Sequence, residues 1–284
     1  MENKKEILAV IVSYNPDDRI IRCYNSIKKQ ADKVIIVDNF SQEEKSKQYL
    51  KQLSMETEII YNDKNYGIAK ALNQVAKYAM VNNYKWLLTA DQDSEFLPNT
   101  YSTMLNFYEE MSDKEETMLI APKFKKRIEY EKQNALVIND INWQKETLII
   151  TSGSLIKIEI FKQIGFFEEK LFMDRVDFDF CFRININGFI TKIAKNLFFI
   201  CEFAEEGKKY SFTVTNYSAQ RRYYITKNTV YLLKYFLKFP KEILYLIIND
   251  CILPLFIITF FETNKFNKIK SIFSGFTDGL LNRY

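Results

Sequence analysis

Five short apolar runs, at 7–12, 34–37, 58–61, 86–89 and 118–121, alternate with four longer stretches of helical periodicity, at 19–30, 43–53, 68–81 and 101–111. No other feature constrains the fold as tightly. Strands joined by helix-length crossovers pair in parallel and lay their helices on the sheet. An α/β architecture is therefore expected, a Rossmann-like, mostly parallel sheet with helices on both faces. Ligands of such sheets bind beyond the carboxyl ends of the strands. After the first four runs the chain reads SYNPDD, DNFS, NDKNYG and DQDS, so four polar clusters are expected to converge on one edge.

Beyond residue 122 the pattern changes. A region at about 136–193 mixes strand-like pieces such as LIITSGSLI with a helical segment around 175–187, and from 216 onward the chain reads as helical, basic and aromatic. Between 208 and 241 there are eight Lys or Arg and no Asp or Glu, a local excess that suits an anionic partner. The stretch 243–261 is nearly all apolar and close to the length of a bilayer span. Asn249, Asp250 and Pro254 interrupt it, which favours a helix lying in or near an interface over one that crosses it.

Several classes are excluded. A net charge of +4 does not mark the whole molecule as a nucleic-acid binder, and none is expected as a partner. Cys23, Cys181, Cys201 and Cys251 lie far apart, with no C-x-x-C pair, which argues against a disulfide framework or structural zinc and fits a reducing cytosol. The first apolar run is too short for a secretory signal and no small-residue cleavage site follows, so no export is expected. Neither G-x-G-x-x-G nor G-x-x-x-x-G-K-[ST] occurs, so phosphates need another anchor. A divalent cation held by carboxylates is the usual alternative, because it brings concentrated positive charge to a diphosphate.

Asp91-Gln92-Asp93 supplies candidate ligands. One residue apart on an extended chain, the two carboxylates fall on one side and repel unless a cation lies between them. An Asx-turn, or a cap for the helix after Pro98, is the competing reading. Asn65-Tyr66-Gly67 reads equally as a turn capping the next helix, and Ser13 and Asn73 as cap or helix-surface residues. Asp174, Asp177 and Asp179 read as an acidic helix N-terminus that complements the helix dipole.

In their order and spacing, the segments AVIVSYNP, VIIVDNFS, NDKNYGIAKALNQVAKYA, LLTADQDSEF, SGSLIKIEIFKQIGFFEEKLFMDRVDFDFCFRININGF and RRYYITKNTVYLLKYF resemble the inverting glycosyltransferases of family 2, and within them the bacterial rhamnosyltransferase group. The resemblance implies a GT-A fold. Its catalytic domain would span 1–215, with a nucleotide-binding half at about 1–122 and an acceptor half at about 123–215. A membrane-proximal helical region would follow over 216–284. By the same resemblance, Ser13 and Asn15 lie near the nucleotide and Asp38 bonds the base. Asn65, Gly67 and Asn73 form the loop and helix start over the donor. Asp91 meets ribose and metal, and Asp93 is the principal ligand of Mg²⁺ or Mn²⁺. Many relatives carry Glu-Asp-x-Asp before CLR; here CFR at 181–183 fixes the register, Asp177 falls on the catalytic base and Val176 replaces the acid before it.

One departure is plain. Relatives place a His after the base helix, three residues before a Gly, whereas this chain has no His at all. Ungapped counting puts Ala204 there, beside Glu202 and Glu205, and leaves Glu205, Lys208, Lys209 or Arg221 to take its place at the metal or the diphosphate.

The chemistry itself asks for few residues. A sugar nucleotide carries its own leaving group, so one base and one displacement suffice and the anomeric carbon inverts; a glycosidase needs paired carboxyl groups. The resemblance thus implies an enzyme that transfers rhamnose from dTDP-rhamnose to a lipid-linked saccharide acceptor. The product would be a capsular or wall polysaccharide, made by a cytoplasmic protein peripheral to the inner face of the cell membrane. A UDP-hexose donor and a non-catalytic partner protein are the alternatives, and a homodimer is left open. A phosphatase of the haloacid dehalogenase type, whose nucleophile motif resembles DQDS, is set aside because that motif follows the first strand there and the fourth here.

Overall fold

The computed structural model describes residues 6–127, 140–201, 207–209 and 212–283. Strands β1 (Ile7–Ser13), β2 (Lys33–Asp38), β3 (Glu58–Tyr61) and β4 (Trp86–Asp91) lie parallel in the order β3-β2-β1-β4. Helices α1 (Arg19–Ile27), α2 (Glu44–Leu53) and α3 (Ile68–Val81) make the crossovers. Successive β1 side chains enter opposite cores, as a two-residue period requires. Ala9 and Ile11 pack with Ile20, Leu50, Trp86 and Leu88 on one face, and Leu8 and Val10 with Val37, Leu72, Val75 and Leu87 on the other. The parallel register sets Ser13 beside Asp38 and Val12 beside Asp91, so the polar ends of three strands meet at one edge.

The other half of the sheet is mixed. After β5 (Ser94–Phe96) and α4 (Thr100–Glu109), β6 (Thr117–Lys125) is separated from β4 by the three-residue β8 (Leu155–Lys157), which is antiparallel to both. β7 (Trp143–Lys145) and β5 pair antiparallel with the long β9 (Ile190–Cys201), which is itself parallel to β6. The expected strand in LIITSGSLI shrinks to β8. Residues 151–154 instead fold back on β4: the Gly153 N–H donates to Thr89 O (2.7 Å), the Thr89 N–H to Ser154 O (3.0 Å) and the Asp91 N–H to Ser152 Oγ (3.1 Å). This turn fixes the backbone from which Asp91 projects.

Between β8 and β9 stand α5 (Ile160–Ile164) and α6 (Val176–Ile186), and β10 (Gly207–Lys209) pairs with β11 (Phe212–Val214). The C-terminal helices follow: α7 (Ala219–Leu232), a 3₁₀ turn (Leu233–Tyr235), α8 (Pro240–Ile247), a π turn (Ile248–Ile252), α9 (Leu253–Phe261) and α10 (Lys265–Leu280). Helix α10 packs closely on α7 because glycines face it. A Cβ on Gly275 would stand 2.4 Å from Tyr223 O, and one on Gly279 2.9 Å from Lys227 O. The helical stretch Pro240–Phe261 has 22 residues and contains an 18-residue window with a mean hydropathy of 2.2, long and apolar enough by length and composition alone to cross a bilayer.

Candidate active site

A cleft of about 450 Å³ opens at the carboxyl edge of the sheet, lined by Ser13, Tyr14, Arg19, Asn39, Asn65, Gly67, Asp91, Gln92, Asp93, Phe172, Met173, Asp174 and Arg221 among others. Its floor is built by the β1 and β4 ends. The Tyr14 N–H donates to Gln92 Oε1 (2.8 Å) and the Gln92 amide to Tyr14 O (3.3 Å), which locks the β1 loop to the D-x-D. The wall is Asn65 to Gly67: Asn65 Oδ1 accepts from the Gly67 N–H at 2.9 Å, an Asx-turn. Gly67 sits at φ 83°, and a Cβ there would lie 2.2 Å from Phe172 O, so the close approach of this turn to the opposite wall requires glycine.

Asp91, Asp93 and Asp174 line the cleft, while Asp177 lies outside that lining, near enough to Asp91 for its charge to be felt. Burial, then the Asp93 and Asp177 charges, raise Asp91 to about 7, with Arg221 pulling the other way. Asp177, in the first turn of α6, rises to about 6 chiefly through burial, opposed by Arg175 and by the Phe178 N–H that its Oδ1 accepts at 2.9 Å, and supported by Asp174. Such a carboxylate holds a proton more firmly than a surface Asp yet is mostly ionised at neutral pH, which suits a general base. Arg19 stands 3.8 Å from Asp93, and Arg221 makes a two-point pair with Asp174 (3.0 and 3.2 Å).

The loop leading to Asp177 is held in an uncommon shape. Asp174 (φ 58°) and Arg175 (φ 66°) both occupy the left-handed region, which costs about 1–3 kcal/mol for each non-glycine residue. The C-terminal helices offset that cost. Asn228 donates to Met173 O (2.7 Å) and Asp174 O (3.0 Å), and Arg175 forms a two-point pair with Asp250.

Not every expected site residue reaches the cleft. Asp38 is buried behind it and accepts from Ser13 Oγ (3.1 Å), the Ser41 N–H (3.0 Å) and the Ser41 hydroxyl. Asn15, at φ 44°, takes the Gln42 N–H (2.8 Å) and Glu43 N–H (3.3 Å) and so braces the entry to α2. Asn73 is buried in α3 and brackets the 167–169 loop, donating to Phe167 O and Glu169 Oε1 and accepting from the Phe167 N–H, all at 2.9 Å. Asp179 is buried too. It joins Arg183, Lys234 and Tyr235 and ties α6 to the C-terminal helices. Glu202, Ala204 and Glu205 lie outside the described residues, as do the side chains of Lys208 and Lys209.

Residues 8–171 match the family described as Glycosyl transferase family 2. The chain belongs to that family. Among curated proteins, this glycosyltransferase is 27% identical over 248 residues to the dTDP-rhamnosyl transferase RfbF of Shigella flexneri, covering 80% of each chain. It is also 27% identical over 108 residues to the uncharacterized protein MJ0544 of Methanocaldococcus jannaschii, covering 37% of this chain and 47% of that one. Of the solved structures, GalNAc-T7 with UDP, GalNAc and Mn²⁺ superposes with a TM-score of 0.60 at 15% identity, over 82% of this chain and 48% of that chain. This glycosyltransferase thus spans about half of that protein. S. aureus TarS 1–349 in complex with UDP-GlcNAc gives a TM-score of 0.54 at 15% identity, over 98% and 93%. The expected GT-A-like α/β fold is the one observed.

Among the described residues, no three His, Cys, Asp or Glu side chains come together as a ready-made metal cage. Asp91 and Asp93 nevertheless fit Mg²⁺ or Mn²⁺, which binds through one or two carboxylates and takes its remaining oxygens from water and substrate phosphate. Burial and then the Asp93 charge raise Asp91, and a cation at this place would oppose both. The structure puts the D-x-D at the end of β4 and Asp177 in the first turn of α6, the element ends expected from sequence. Arg19 in the cleft and the Arg175–Asp250 pair were not legible there; the one trace of the latter was an acid inside an apolar run.

Proposed function

We propose that this glycosyltransferase transfers rhamnose with inversion from dTDP-rhamnose to a lipid-linked saccharide acceptor of cell-surface polysaccharide synthesis, at the cytoplasmic face of the membrane. The observation that carries the reading is the Asp91/Asp93 pair in a cleft at the carboxyl edge of the sheet, with Asp177 of α6 near enough for its charge to raise Asp91. The donor sugar rests on the similarity to the Shigella rhamnosyl transferase.

Asp177 takes the proton of the acceptor hydroxyl as its oxygen attacks the anomeric carbon; the bond from that carbon to the phosphate oxygen breaks, and the nucleoside diphosphate leaves with the electron pair. Asp91 and Asp93 would hold the divalent cation, which when bound supplies positive charge for the departing diphosphate. Arg221, on the same cleft, stands where a chain without histidine needs a cation, and contributes charge to the phosphates from its pair with Asp174. Ser13, Asn39, Asn65 and Gly67 contact the nucleotide, while Asp38 acts through the Ser13 hydroxyl it orients.

The membrane reading rests on the C-terminal surface. Leu244, Tyr245, Ile248, Ile252, Phe256 and Phe260 are all exposed. The exposed side chains from 244 to 260 carry no charge, and exposed Lys238, Lys241, Lys265 and Lys270 flank them. An uncharged apolar strip edged by lysines suits an anionic lipid surface.

Thermal shift with a nucleotide-sugar panel tests the donor, since a ligand bound only by the folded state raises apparent stability. dTDP-rhamnose with Mg²⁺ or Mn²⁺ should give the largest shift. A larger shift with UDP-hexoses would move the donor to that class, and transfer at background level with every donor would remove the enzymatic reading.

A further inference from the structure

Residue 250 is the one charged position between Glu242 and Glu262, in a stretch otherwise suited to lipid, yet its side chain points inward and is 5% exposed. An ionised carboxylate is kept in such surroundings only where a partner compensates its lost hydration. The partner is Arg175, 75 residues away, whose Nε donates to Asp250 Oδ2 at 2.8 Å while an Nη donates to Oδ1; Thr229 Oγ1 adds a third donor at 2.6 Å. The helix is deformed at this place. Asp250 lies in the π turn Ile248–Ile252, and the wider turn lets it face the protein while Ile248 and Ile252 stay exposed. π turns are rare and gather at functional sites.

Arg175 is equally particular. It precedes Asp177 by two residues, and it and Asp174 are consecutive non-glycine residues in the left-handed region. A buried ion pair is a poor source of stability compared with an apolar pair of the same size. Its presence here calls for another explanation, and Arg175 is the cation that most opposes the effect of burial on Asp177.

We propose that Arg175 and Asp250 are positioning residues of the transfer reaction: Asp250 reaches in from the apolar-faced helix and holds the Arg175 guanidinium, so that the 172–175 loop keeps the Asp177 carboxylate free and aimed at the cleft. This rests on Asp177 being the base. Without Asp250, the guanidinium loses its own partner and is left to pair with Asp177, taking the base out of use. With Asp250 in place, the strained loop has one stable setting. The groups facing Asp177 are Arg175 and Asp174 from its own loop, Cys181 from α6 and Asp91 from the end of β4; none but Arg175 changes in the variants below.

The test is steady-state transfer by the full-length protein, with dTDP-rhamnose as donor probe or whichever donor the panel selects. Asp250→Asn should lower kcat at least about tenfold while donor KM changes less than about twofold, since the interaction lost acts on the base and not on donor contacts. Arg175→Gln should also lower kcat, and the double variant should be no worse than the weaker single, the non-additivity of two residues acting as a unit. The acid limb of the kcat/KM profile should move down in Asp250→Asn, where Arg175 is free to pair with the base, and up in Arg175→Gln, where the positive charge is gone. Thr229→Val removes one hydrogen bond from Asp250 and keeps the test open if Asp250→Asn does not fold; it should move the limb in the same direction as Asp250→Asn, by less. Losses that only track the folded fraction, additive effects, or an unmoved limb would overturn the proposal. Near-normal transfer by Asp177→Asn would instead remove the base assignment on which it rests.

Discussion

In the sheet half of the molecule the interior is apolar and the strand ends carry the polar groups; in the C-terminal helices buried charges share the interior with apolar side chains, and further apolar side chains face outward. Fully buried Leu8, Val10, Ile35, Ile36, Leu87 and Leu88 fill the first. Arg222, Lys227, Asp250, Glu262 and Lys268 are buried in the second, while Leu244, Ile248, Ile252, Phe256 and Phe260 face outward. The difference teaches that the two regions answer different demands. Apolar burial specifies the sheet and leaves its edge free for chemistry. The helices are held to the sheet and to one another by paired charges added to an apolar cluster of Phe182, Leu232, Ile243 and Leu246, and they leave a second apolar surface exposed.

The largest expected effect comes from breaking the buried charge pairs. Glu262 is buried and takes Arg222 Nη at 2.7 Å and Lys268 Nζ at 2.8 Å. Glu262→Gln leaves two buried cations without a counter-charge, which should cost about 3–5 kcal/mol in denaturant unfolding. A loss below about 1 kcal/mol would mean that the helices are held by ordinary packing and that the contrast with the sheet is superficial.

At the strand ends, Asp177→Asn should lower transfer at least about a hundredfold, the usual scale for a positioned base, with donor affinity by calorimetry unchanged. Asp93→Asn should weaken both, because a neutral amide offers a divalent cation less charge in donor binding as well as in reaction. If both variants lost donor affinity equally, binding and chemistry would not be divided between β4 and α6.

The outward face gives a smaller effect. Serine at Ile248, Ile252 and Phe256 together should reduce partition onto anionic vesicles about tenfold, through the apolar area no longer removed from water. Unfolding without vesicles should hardly change, since these side chains are already exposed. Unchanged partition would place the lipid contact elsewhere.

How much of this was legible in the sequence follows from the same contrast. Short apolar runs and helical patterns gave β1 to β4 and α1 to α3 within three residues at each end, because a strand buried on both faces writes a continuous run and a helix buried on one face writes its period. The extent and antiparallel direction of β8 were not legible in LIITSGSLI; three residues carry no period. At the site, the placement of Asp91, Asp93 and Asp177 at element ends was legible. The internal hydrogen bonds of Asn15, Asp38 and Asn73 were not, because the same side chain can serve a ligand or a backbone N–H and only geometry shows which groups it meets inside the protein. The pairing of Arg175 with Asp250 has no local signature at all.

The smallest expected effect concerns pH, and it separates the cost of the site from its use. Burial raises Asp177 to about 6, above the roughly 3.9 of an unfolded chain, so the folded protein prefers the protonated form. The sign follows: this group's contribution to stability is fully present below about pH 4 and is lost as pH rises through about 6. Activity runs the other way, because only the ionised carboxylate accepts the acceptor's proton, and kcat/KM should fall roughly tenfold per unit below about pH 6. Asp177→Asn keeps the shape and removes the buried charge. It should therefore be more stable than the parent by about 1–2 kcal/mol at pH 8, after allowance for solvent screening, and the gain should vanish near pH 4. Sheet-core residues such as Leu88 carry no charge and offer no such trade. A variant equally stable to the parent at both pH values would show that Asp177 costs the fold nothing and that its environment is wetter than the cleft geometry implies.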